Sequence, residues 1–182
     1  MGATVNSRIW MQHEGQIPAT DDSAVSAFTE KWQLSATPVR LRYNNHGYGA
    51  AWCHVSAKHK AVSDGGKRVH GWALWKFGPD LVADHHSVWE DQHGNLIDVT
   101  PPSNGGGEVL FVRDDSARIE LGDGAIQLFT QRTADQHVHW LWQGQPSDFS
   151  NWPCPPDKPD LVEYAAQLNF PVLEILTADK HG

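Results

Sequence analysis

Hydrophobic and polar positions alternate along the chain in a way that predicts helices early in the chain, a block of strands and one late helix. The run TDDSAVSAFTEKW from Thr20 to Trp32 reads as a short helix with Thr20 or Asp21 as N-cap and acidic residues in its first turn. A strand-like VRLRY follows Pro38. After the turn-rich stretch Asn44 to Gly49 comes AAWCHVSAKHKAVS, in which Trp52, Val55 and Val62 fall at helical spacing, Lys58 and Lys60 lie toward the end, and Gly65-Gly66 can close the element. Cys53 then occupies the first turn of a helix.

The segment VHGWALWKF, Val69 to Phe77, is apolar on both faces and predicts a central strand. Leu81 to Glu90 and Leu96 to Thr100 flank the five-residue stretch Asp91 to Asn95, which reads as a hairpin with a longer loop. Pro101-Pro102 stops the second of these strands, and Ser103 to Gly107 is a connector. Further strands are expected at Val109 to Arg113, Ala117 to Leu121, Ala125 to Thr130 and Val138 to Trp142. A proline-rich crossing follows Cys154, and Pro159 opens a final amphipathic helix through Phe170 with Leu161, Ala165 and Leu168 on its buried face. The order predicts an α+β fold, an antiparallel β-sheet packed against the helix that carries Cys53. No repeat or heptad is present, and residues 1–182 read as one domain, with a core at 38–145 and a helical segment at 156–182.

Composition narrows the function. With 40% hydrophobic and 20% charged residues the chain has the makings of a packed interior. Its net charge of -8, from 22 acidic against 14 basic residues without a basic cluster, argues against nucleic acid and anionic membrane as partners. The opening residues lack a leader pattern and no window is long enough to span a membrane, so the cytoplasm is the expected location. A disulfide between Cys53 and Cys154 is not expected there. Eleven histidines point toward a chemical site, and nine tryptophans toward core filling or pocket lining.

A thiol becomes a useful nucleophile near neutral pH when something stabilises its thiolate, and a helix N-terminus supplies partial positive charge and N–H donors. Cys53 is placed for that. The same donors, with Asn44 or Asn45 as side-chain helpers, suit the oxyanion formed on a carbonyl substrate. Read instead as packing, Cys53 is a small buried hydrophobe beside Trp52. His86 and Asp98 decide between these. They lie twelve positions apart across the Asp91–Asn95 loop, and an even separation across an odd loop puts both on one face. Val88 then faces Asp98, His86 faces Thr100, and His86 and Asp98 become diagonal neighbours, close enough for the carboxylate to grip an imidazole N–H. His85 points to the other face.

A cysteine at a helix start followed by His and Asp on successive antiparallel strands resembles the papain-like thiol hydrolases, in particular the NlpC and transglutaminase-like groups. The local likeness is to uncharacterised bacterial proteins with a GWALW segment, a His-x-Val-Trp strand and an Asp-Val-Thr-Pro strand. Here those are Gly71 to Trp75, His86 to Trp89 and Asp98 to Pro101, so that the resemblance spans residues 45 to 102. It selects His86 over His85. It implies a papain-like fold and acyl transfer on an amide or ester bond of a small-molecule or peptide substrate, with Cys53 as nucleophile, His86 as base and Asp98 as its orienting acid. Trp52 and Trp89, beside the nucleophile and the base in sequence, are expected to line the pocket.

Two other readings stand beside this one. Cys53, His54, His85, His86 and Asp98 include ligands that zinc or iron accepts, chiefly Cys53, His85 and His86, although adjacent residues on a strand or helix diverge. His137 and His139 share a strand face and offer a metal pair or a solvent-facing polar pair. Alternatively the scaffold is a non-catalytic binding module, with a tryptophan-rich cleft and an edge-forming Val172 to Leu176 segment for protein contact. No redox or nucleotide cofactor is expected, because no glycine-rich phosphate loop joins a strand to a helix; Gly105 to Gly107 leads into a strand.

Overall fold

The segment that is apolar on both faces becomes the middle of the sheet. In the computed structural model, residues 15–50, 52–78, 80–102, 106–122, 125–128, 131–133, 140–142, 145–147 and 152–176 are described. Their principal elements are α1 (Ser23–Lys31), β1 (Val39–Arg42), α2 (Cys53–Asp64), β2 (Lys67–Phe77), β3 (Asp80–Glu90), β4 (Leu96–Ile97) and β5 (Glu108–Arg113). Six short strands follow: β6 (Glu120–Gly122), β7 (Ala125–Leu128), β8 (Gln131–Thr133), β9 (Trp140–Trp142), β10 (Gln145–Ser147) and β11 (Trp152–Cys154). Two helices, α3 (Pro159–Gln167) and α4 (Val172–Leu176), close the described chain.

The main sheet has the order β1-β5-β2-β3-β4, with β8 also on β3, and every ladder in it is antiparallel. Strand alternation sorts its side chains into two layers. Trp72, Leu74, Leu81, Ala83, Leu110 and Val112 pack with Val25 and Phe28 of α1. Val69, Ala73, Trp75, Val88, Val109 and Phe111 form the other layer with Leu41, and Leu96 packs against it. Leu41 and Leu96 come from opposite ends of the strand order. Their meeting, together with an isolated bridge between Tyr43 and Asp98, shows that the sheet curls until it is nearly closed. Helix α2 packs against β2 and β3, with Val55 in a cluster shared with Leu161, Ala165 and Ile175 of the C-terminal helices and Phe170 of the link between them.

Several expectations are corrected in detail. Asp22, rather than Thr20 or Asp21, caps α1, because its carboxylate accepts the Ala24 N–H at 2.9 Å while its other oxygen holds Lys76 at 2.5 Å. Val62 is 60% exposed, because α2 buries the run Cys53 to Lys58 and turns its second half outward. β4 ends at Ile97, since Asp98 bridges to Tyr43 and Thr100 N–H turns back to the Asp98 carboxylate. The strand expected from Ala117 starts only at Glu120, because Asp114 gathers the Ser116 and Ala117 N–H groups into a turn. Val172–Leu176 is a short helix and not an edge strand: the Pro171 carbonyl accepts the Glu174 N–H, and Ile175 is buried. Among the described residues no helix is long and apolar enough to cross a membrane.

Gly71 lies opposite His86 in the β2–β3 ladder, and a Cβ there would sit 2.2 Å from the Val112 carbonyl oxygen. Gly71→Ala is therefore expected to destabilise the fold by at least about 1–3 kcal/mol, the usual cost of overpacking a tight interior. Chemical denaturation with an unchanged m-value checks it.

Candidate active site

Helix α2 begins at Cys53 because Trp52 adopts a non-helical conformation (φ -98°, ψ 53°) while its carbonyl accepts the Val55 and Ser56 N–H groups, each at 3.0 Å. Trp52 makes no side-chain capping hydrogen bond. Cys53, whose residue is 7% exposed, therefore stands in the first turn, at the positive end of the helix.

The hairpin brings the other two groups together. Trp89 pairs with Ile97 and Glu90 with Leu96, and the Asp91 N–H donates to the Asn95 carbonyl at 3.0 Å to close the five-residue loop. Continued past β4, that register sets Val88 opposite Asp98 and His86 opposite Thr100, as alternation predicts. His86 Nε2 lies 3.1 Å from Asp98 Oδ2. The second carboxylate oxygen accepts the Thr100 N–H at 3.0 Å, and the Asp98 carbonyl accepts the Asn44 N–H at 2.8 Å. With 1% of its side chain exposed, Asp98 has little room to move, and because it engages Nε2 the Nδ1 atom of the ring is left for another partner.

Cys53, His86 and Asp98 line one cavity of about 150 Å³, whose walls include Ala73, Trp75, Val109, Pro101 and Pro102. Burial pushes the His86 pKa down, but the Asp98 charge, the Cys53 sulfur and hydrogen bonds to both more than offset it and raise the imidazole well above its ordinary value. The ring thus places a positive charge beside the sulfur. Thr100 also lines the cavity, and its buried Oγ1 has no hydrogen-bond partner among the described residues.

Four expected accessory residues lie elsewhere. Asn44 and Asn45 are exposed; Asn44 contributes only its backbone N–H to Asp98, and Asn45 Oδ1 accepts the Gly47 N–H at 2.9 Å. Trp52 packs in the Val55 cluster with Lys158 5.2 Å above its ring. Trp89 packs with Tyr48 and Val99, and its Nε1–H donates to the Gly65 carbonyl at 2.8 Å. The aromatic wall of the cavity is instead Trp75. Its signal was available: Gly71, Ala73 and Trp75 share one strand parity, and Gly71 pairs with His86.

On the other side of β3, sequence reasoning missed His70. His54 Nδ1 and His70 Nδ1 lie 2.7 and 2.9 Å from the Ser87 hydroxyl, and His85 Nε2 is 2.7 Å from the Ala117 carbonyl. Potential ligand atoms of His54, His70 and His85 all lie within 4.8 Å of one another, the one such trio among the described residues. The metal set expected at Cys53, His85 and His86 borders one cavity, but among the described residues its ligand atoms do not gather within reach of a single ion as those of the trio do. His137 and His139 lie outside the described residues. Comparison with protein-family models, with curated proteins and with solved structures finds no match to this chain.

Proposed function

We propose that the chain is a cysteine-dependent hydrolase or acyltransferase of papain-like type, acting on an amide or ester bond of a small-molecule or peptide substrate. The observation that carries this reading is that Cys53, at the first position of a helix, shares a cavity with a histidine bonded to a buried aspartate. Three such groups in series match what nucleophilic catalysis needs: an attacking atom, a base, and a group that fixes the base.

In the proposed reaction the Cys53 thiol proton passes to His86 Nδ1, and the thiolate attacks the substrate carbonyl carbon. The carbonyl oxygen becomes an oxyanion, for which the first-turn amides of α2 are the nearest positive field. The tetrahedral adduct collapses to a Cys53 thioester as the proton on His86 passes to the departing amine or alcohol. Water or an acceptor nucleophile then gives its proton to His86 and attacks the thioester, and the returning proton regenerates the Cys53 thiol. Asp98 keeps its negative charge throughout and stabilises the imidazolium. The largely apolar walls favour an acyl group of modest size over a long polar chain.

An activated ester such as p-nitrophenyl acetate tests the assignment. Release of one equivalent of p-nitrophenol in a burst is expected, with the acetyl group located on Cys53 by mass spectrometry and both signals lost in Cys53→Ala. A full burst in Cys53→Ala, or no acylation of Cys53 by any member of an ester, thioester and amide panel, overturns the reading.

A further inference from the structure

We infer that His54, His70 and His85 form a second site, a buried three-imidazole centre for a divalent transition ion of the zinc class. The three residues come from three elements, α2, β2 and β3, and are 7, 6 and 7% exposed. Their potential ligand atoms already lie within 4.8 Å of one another. A tetrahedral ion with bonds near 2.0–2.1 Å needs nitrogens about 3.4 Å apart, and small rotations about the soft χ2 torsion of each imidazole supply the difference.

Hydrogen bonding orients the lone pairs. With Nε2–H of His85 donating to the Ala117 carbonyl at 2.7 Å, Nδ1 is its lone-pair nitrogen. His54 and His70 both meet the same Ser87 hydroxyl through Nδ1, at 2.7 and 2.9 Å. A hydroxyl oxygen can accept two N–H bonds, and when it does so both Nε2 atoms carry lone pairs. Such carbonyl and hydroxyl partners on the outer nitrogens are what orients imidazole ligands at metal centres.

The donor set is all imidazole nitrogen, which suits zinc, cobalt, nickel or copper and not magnesium or calcium. Three protein ligands leave a fourth position for water or an exogenous group. Arg68 is the cation bordering the trio; its Nη1 donates to the carbonyls of His54 (3.3 Å) and Ile175 (3.1 Å). The trio and the Cys53–His86 pair are different sets of side chains, and they adjoin at β3, where His85 also borders the thiol cavity. A bound ion ties the opening turn of α2 to the β2–β3 hairpin.

Titrating the metal-stripped full-length chain with Co²⁺ at pH 7 tests this. One equivalent is expected to bind with visible absorption of the tetrahedral type, without a thiolate charge-transfer band, and to raise the melting temperature. X-ray absorption on the same sample is expected to show imidazole nitrogen and no sulfur. Ser87→Ala should weaken the ion by about tenfold to a hundredfold, folded His70→Gln or His85→Gln should lose it, and Cys53→Ala should retain it. Failure to bind one equivalent, sulfur in the coordination shell, or undiminished affinity in a histidine variant overturns the inference. The wild-type absorption result decides the case if those variants fail to fold.

Discussion

Removing the His86 ring is expected to change how Cys53 alkylation depends on pH more than any other single substitution. A thiol of ordinary pKa, near 8.5, becomes about 70-fold more ionised between pH 6 and pH 8, and its iodoacetamide rate climbs with it. In the native chain the raised pKa of His86, set against burial by Asp98 and the Cys53 sulfur, keeps an imidazolium beside the sulfur, so the rate should be nearly flat over that interval. His86→Ala should restore the steep climb. The difference at pH 6 should be about tenfold, since an ion-paired sulfur is also a weaker nucleophile. Adduct formation on Cys53 followed by mass spectrometry from pH 5 to pH 9 reads both quantities, and a steep wild-type profile would sink the ion-pair assignment. Linkage adds a sign. A folded-state pKa above the unfolded value means that the His86 contribution to stability is complete below about pH 6.5 and is lost as pH rises through the folded value.

Asp98→Asn is expected to lower acyl transfer by about 10²–10⁴-fold while leaving the fold intact. The amide oxygen can still accept the Thr100 N–H, which then turns the NH₂ group toward His86 Nε2, 3.1 Å from the present Oδ2. An NH₂ group donates and does not accept, so the ring is driven to keep its proton on Nδ1. That is the nitrogen required to take the thiol proton, and the base is presented in the wrong tautomer. Asp98→Ala should add a stability loss of about 1–3 kcal/mol from the buried Thr100 N–H left without a partner. Turnover of the activated ester, beside circular dichroism and a denaturation midpoint, separates the two effects; Asp98→Asn activity within about twofold of wild type would remove Asp98 from the mechanism.

The parts of the site that depend on local rules were legible in the sequence. Turn residues ahead of Trp52 and Gly65-Gly66 after Asp64 bracket α2 to within a residue or two. The odd count of the Asp91–Asn95 loop fixes which face Asp98 shares with His86. Both are short-range constraints. The errors arise where adjacency along the chain was read as adjacency in space. Trp89 is three residues from His86 on a strand, an odd step that sends it to the opposite face, and Trp52 is a helix cap whose ring turns toward α3. His70 was missed because its meeting with His85 depends on the β2–β3 register, which sets Trp72 against His85 and Ser87 against His70, and its meeting with His54 on how α2 docks. Those long-range facts are carried by packing, which pattern alone does not encode. Val172–Leu176 misled for a related reason: a short apolar run suits strand or helix equally, and Pro171 with the burial of Ile175 decides it.

The far end of α2 has a bearing on chemistry that its distance conceals. Gly65 and Gly66 take φ of +82° and +85°, a Cβ on Gly66 would sit 2.1 Å from the Glu90 carbonyl oxygen, and Trp89 grips the Gly65 carbonyl. This pins one tip of a twelve-residue rod, about 18 Å long, to the same hairpin that carries His86 and Asp98. Swinging such a rod by about 5° about that end would carry its Cys53 end roughly 1.5 Å, and in the proposed reaction a misplacement of about 1 Å can cost a hundredfold in rate. Two glycines outside the lining of the cavity thus act as the fulcrum that sets where the sulfur points.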